Sequence, residues 1–152
     1  MSYQLRAAIG DAGLLGQAFG PGTVVRLPGG LGLVPLPASD DTDRVGRFYG
    51  LSTSLRERLI AASASGPIAY VEAEFFGGVG TQSGIAWSNG SAILGPLHTQ
   101  NKDDEEPGYT TSSDLAINEV LRLLGVQPDP DRDEFDTLGL GRFRETISTP
   151  SR

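Results

Sequence analysis

Nine residues, Ile68 to Phe76, alternate without interruption, and the residues after them leave little choice of partner. Ile68, Tyr70, Glu72, Glu74 and Phe76 share one face of such a segment; Ala69, Val71, Ala73 and Phe75 share the other, which is the period of a β-strand. Gly77-Gly78-Val79-Gly80 breaks the pattern, and residues 82–88 resume it with Ile85 and Trp87. Asn89-Gly90 then gives the strongest short hairpin signal, because a two-residue turn needs φ above zero at both central positions. Ser91 to Leu97 is the returning strand. These three segments predict an antiparallel meander at the centre of a sheet.

The rest of the chain supplies strands and helices in mixed order. Residues 3–9 read as a strand, and Asp11 caps a short helix over about 12–19 that Gly20-Pro21 ends. Residues 23–36 read as a hairpin around Pro28-Gly29-Gly30, with Pro35 marking an edge or an end. Residues 37–43 are a loop, and a short helix over 43–49 would turn Val45, Phe48 and Tyr49 inward. Ser54 and Glu57 have capping-box spacing for a helix to about 64, burying Leu55, Leu59, Ile60 and Ala62. From Ser113 or Asp114 a further helix carries Ile117, Val120, Leu121 and Leu124 on one stripe. Leu138 to Phe143 reads as a last strand or packed turn, and 146–152 as a frayed end. The expected fold is a single α+β domain over residues 1–152, mostly antiparallel sheet with the helices packed on one face.

Composition excludes several function classes. With no Cys there is no disulfide, thiolate metal site or cysteine nucleophile. A single His, His98, rules out any site needing two imidazoles. A net charge of −7 argues against nucleic acid as a partner, because phosphates would be repelled. No secretory peptide is read at the N-terminus and no apolar run has membrane-spanning length, so the expected location is the cytoplasm, away from membranes.

The candidate sites each meet a simpler explanation. Gly10 to Gly16 opens a helix after a strand, but its spacing is GxxGxxG and the acidic ribose partner is missing, so the glycines are read as turn and packing residues. The Phe76 to Gly84 cluster lacks the Lys and the following helix of a phosphate loop, and reads as a wide strand connection. Glu72 and Glu74 share a strand face with Cβ atoms roughly 6.5–7 Å apart. That face reads first as solvated; a partner surface or a carboxylate pair for acid–base chemistry are the alternatives. Asp129, Asp131 and Asp133 imitate the start of a calcium loop, but Glu134 stands where Gly is required and Leu140 where a bidentate Glu is required. His98 reads as a surface residue in a polar loop. No metal or cofactor is expected.

Charge is unevenly distributed. Residues 101–136 hold eleven acidic and three basic residues, a net of −8, so the whole negative excess lies in this segment. Such a lobe speeds encounter with a basic partner, and also serves plain solubility.

Several phrases stand out together: Leu33-Val34-Pro35-Leu36, Pro67 to Gly78, Gly80-Thr81-Gln82-Ser83 with Trp87, Ile117-Asn118-Glu119 with Leu124-Gly125-Val126, and Asp133-Glu134-Phe135-Asp136 with Leu138 to Arg142. As a set they resemble a family of small uncharacterised bacterial proteins grouped with immunity-type proteins. The resemblance implies a bacterial cytosolic domain and brings no catalytic residues with it.

The reading from sequence is therefore a non-catalytic interaction module, an immunity protein that binds a basic toxin or other protein partner. Asp103, Asp104, Glu105, Glu106, Asp129, Asp131, Asp133, Glu134 and Asp136 would carry binding, with Glu72 and Glu74 beside them and Tyr70 and Trp87 as aromatic anchors. The alternatives are a small hydrolase or transferase using Glu72 and Glu74 near the 77–84 glycine loop, and a structural subunit of a larger assembly.

Overall fold

In the computed structural model, residues 2–36, 48, 51–76, 79–101, 116–127 and 130 are described. Among these residues six strands form one antiparallel sheet: β1 (Ser2–Asp11), β2 (Val25–Arg26), β3 (Leu31–Pro35), β4 (Ile68–Phe76), β5 (Val79–Ser88) and β6 (Ser91–Asn101). Their order is β2-β3-β1-β4-β5-β6. Three α-helices among the described residues, α1 (Ala12–Phe19), α2 (Thr53–Ala62) and α3 (Ala116–Leu123), complete the α+β fold expected from sequence.

The meander exists, but it forms one half of the sheet. β1 pairs with both β3 and β4 and is central, while β6 is last in the order of the described strands. Asn89 at φ 52° and Gly90 at φ 80° close the β5–β6 hairpin as their sequence requires. Val79 and Gly80 belong to β5 and are not part of a wide break.

The helices lie on both faces, not on one. Ala69, Val71 and Ala73 of β4 join Leu5, Ala7 and Ile9 of β1 in a core closed by Ile117, Val120 and Leu121 of α3. On the opposite face Ile68 and Tyr70 join Ala8, Val34, Ile85 and Trp87 beneath Leu14 and Leu15 of α1 and Leu59 of α2, with Phe48 and Leu51. Apolar residues alternating with Ile68 and Tyr70 on the second face are the physical cause: both sides of β4 need cover.

Side chains fix each helix on the sheet. Asp11 accepts from the Leu14 amide at 3.0 Å, capping α1 as expected. The cap of α2 is Ser52, not Ser54. Ser52 has the extended backbone a cap requires, and its Oγ accepts from the Leu55 amide at 3.2 Å, which places Ser54 and Glu57 inside the helix. At the far end of α2, buried Ser63 accepts from the Gly90 amide at 2.9 Å, and its carbonyl accepts from the Asn89 amide. The β5–β6 turn is thus tied to α2. Arg58 of α2 donates to the Ala18 carbonyl at 2.8 Å and lies 4.3 Å above the Phe19 ring, joining α2 to α1.

α3, described from Ala116, is held there by two cross-strand partners, Gln82 and Thr99. Thr99 Oγ1 accepts from the Ala116 amide at 3.1 Å and Gln82 Oε1 from the Ile117 amide at 3.0 Å. These two amides are satisfied by side chains of the sheet itself. The expected start at Ser113 or Asp114 and the proposed helix at 43–49 lie outside the described residues, except for Phe48, which is buried as expected.

Candidate functional site

Polar residues on four neighbouring strands meet on the α1/α2 face, beyond the edge of its apolar core. The register sets Arg6 of β1 opposite Glu72 of β4, Glu72 opposite Ser83 of β5, and Ser83 opposite His98 of β6. Adjacent strands are about 4.8 Å apart, so this row crosses roughly 14 Å of sheet. The next row inward, Ala8–Tyr70–Ile85, is fully apolar apart from the Tyr70 hydroxyl.

That hydroxyl turns toward the polar row. Tyr70 has no exposed surface, and its hydroxyl donates to Glu72 Oε2 at 2.6 Å, a short bond inside the protein. Burial, then the neighbouring carboxylate and the bond to it, push the Tyr70 hydroxyl far above its ordinary ionisation range; Arg6 opposes this in part. Farther along, Ser83 Oγ and His98 Nδ1 lie 2.7 Å apart. The hydroxyl donates when Nδ1 is bare and accepts when Nδ1 carries the proton. Phe48 packs on both groups, its ring centroid 5.6 Å from Tyr70 and 5.0 Å from His98.

Beside Ser83 is a cavity of about 20 Å³, lined by Arg6, Glu72, Glu74 and Thr81. It has room for about one water-sized group. A larger open groove of about 430 Å³ lies between α1 and β2, along Gly13, Gly16, Gln17 and Arg26. The groove touches the glycines of the GxxGxxG run, yet the start of α1 is already taken by the Asp11 carboxylate, which repels an anion there. Among the described residues no group of three His, Cys, Asp or Glu side chains could hold a metal ion, and no helix is long and apolar enough to cross a membrane.

Comparison with family models, with curated proteins and with solved structures gives no match. The site must therefore be read from its own geometry.

Several residues stand elsewhere than the sequence reading put them. Tyr70 and Trp87 are core residues, not anchors on a surface, and Glu72 is buried as well. Glu74 is half-buried and lines the cavity beside Ser83. His98 is a half-buried strand residue bonded to Ser83, not a surface residue of a loop. For Tyr70 and Trp87 the cause is the second helical layer over this face, and Phe48 packs on Tyr70 and His98. Asp103, Asp104, Glu105, Glu106, Asp129, Asp131, Asp133, Glu134 and Asp136 lie outside the described residues.

The sequence reading missed Ser83 and its pairing with His98. A regular hairpin closed by Asn89-Gly90 would set Ser83 opposite Pro96. Irregularities between Gly84 and Trp87 add two residues on the β6 side and bring His98 into place. Gly95 is part of this device: at φ 89°, a Cβ there would stand 2.7 Å from the Gly84 carbonyl oxygen. Only glycine fits that approach.

Proposed function

We propose that this protein binds a basic protein partner through the acidic segment 101–136, in the manner of an immunity protein that occludes a toxin. The observation that carries the proposal is the charge: eleven acidic residues against three basic within 36 positions, in a chain otherwise close to neutral. Long-range attraction from such a lobe guides a cationic surface into register and raises association rates by a factor of roughly 10 to 1000. The fold is compatible with this use. β6 is described to Asn101, and Thr99 and Gln82 hold the Ala116 and Ile117 amides of α3, so the sheet holds the described elements on either side of residues 102–115.

The test is kinetic. A partner is captured from the native host and its association measured by stopped flow with the natural chain and with Asp103, Asp104, Glu105 and Glu106 changed to Lys. The substitutions should slow association severalfold and flatten its salt dependence. An unchanged rate refutes the proposal.

A further inference from the structure

We infer that Ser83 is a nucleophile with His98 as its base, able to take an acyl group from a small neutral carboxylic ester. The inference is independent of partner binding. Three observations meet at one place. Ser83 Oγ is 2.7 Å from Nδ1 of His98, within the reach that a base needs to accept the hydroxyl proton. Phe48 packs against the His98 ring at 5.0 Å and holds its orientation. Ser83 also lines the 20 Å³ cavity, whose size is that of a single carbonyl oxygen and whose wall includes Arg6. Half-buried Glu74 and exposed Thr81 line the same cavity, so it is reached from solvent on that side.

The acyl carbonyl oxygen enters this cavity beside Arg6, with the rest of the ester outside. Ser83 Oγ bonds to the carbonyl carbon as its proton passes to His98 Nδ1. Arg6, in the cavity wall with Glu72 and Glu74, is the cation that would offset the negative charge developing on the carbonyl oxygen. The bond to the leaving alkoxide breaks, and the alkoxide takes the proton from His98. Water then adds to the acyl carbon and gives a proton to His98; the Oγ–carbon bond breaks, Oγ recovers its proton and the carboxylic acid departs. Glu72, bonded to the Tyr70 hydroxyl, and Glu74 place carboxylates beside the cavity, which disfavours anionic esters and selects neutral ones.

The probes are p-nitrophenyl acetate, read as an initial burst of nitrophenol, and a neutral alkyl fluorophosphonate, read by mass mapping of the adduct on the intact chain. The natural chain should show a burst and an adduct on Ser83, both absent in Ser83→Ala. His98→Gln keeps a hydrogen-bonding group toward Ser83 but removes the base, and should slow labelling by about 100-fold or more. His98 is the only histidine in the chain, so prior carbethoxylation of that ring should suppress labelling equally and needs no variant to fold. No adduct on Ser83, or labelling that survives both loss and carbethoxylation of His98, overturns the inference.

Discussion

Removing the Tyr70 hydroxyl tests whether the polar row is an integral part of the fold. In Tyr70→Phe the ring stays in the core and only the bond to Glu72 Oε2 is lost. Tyr70 is completely buried and Glu72 is 6% exposed, so water cannot easily replace the donor. A hydrogen bond to a charged group is worth about 1.5–3 kcal/mol, and the acceptor left behind is deprived of its partner. We expect a loss of about 2 kcal/mol, or a fall of roughly 4–8 °C in Tm for a chain of this size. Glu72→Met removes the acceptor while keeping a side chain of similar length. Combined with Tyr70→Phe it should cost less than the two single changes together, with a coupling of about 1–2 kcal/mol. Urea unfolding of the four proteins measures this. If Tyr70→Phe falls within about 0.5 kcal/mol of the natural chain, as an ordinary surface change would, or if the two changes simply add, the reasoning is wrong.

Two further predictions rest on the same structure. Tyr70 ionises far above its ordinary value of 10.0 in the folded protein and near that value when unfolded. Its contribution to stability is therefore complete below pH 10 and is lost as pH rises beyond it, because the unfolded chain releases a proton that the folded one keeps; in a tyrosinate absorbance titration, one of the four tyrosines should ionise only on unfolding. At Gly84 an added Cβ would stand 2.7 Å from Val120 Cγ2 of α3, and a β-branched side chain in a helix has little rotamer freedom with which to yield. Gly84→Ala should thus destabilise by about 1–3 kcal/mol in urea, against the small gain glycine replacement usually brings, and the added Val120→Ala should relieve most of that loss.

Local signals in the chain were legible where one residue alone decides. Asp11, Asn89-Gly90 and the stripe Ile117, Val120, Leu121 each dictate their structure through a single cap, turn or face, and each is found as expected. The α2 cap was misread because Ser52 and Ser54 are equally good oxygens, and only the backbone angle chooses between them. The one-sided helical layer was misread because Glu72 and Glu74 made the Tyr70 face look solvated. In fact the apolar half of that face lies under α1 and α2, and only its far end is polar. Ser83 and His98 were illegible as a pair, since two extra residues in β6 set their register and no local pattern in the sequence records them.

The placement of β1 has a consequence for how the chain is made. It is made before either neighbour, finds one at residues 31–35, and gains the other only at 68–76. A nascent chain halted near residue 60 therefore holds β1 with one open side and with Leu5, Ala7 and Ile9 still lacking α3. Unpaired strand edges and uncovered apolar faces of this kind recruit other chains, so β4 closes the edge of β1 but only translation through α3 completes the step from aggregation-prone to protected.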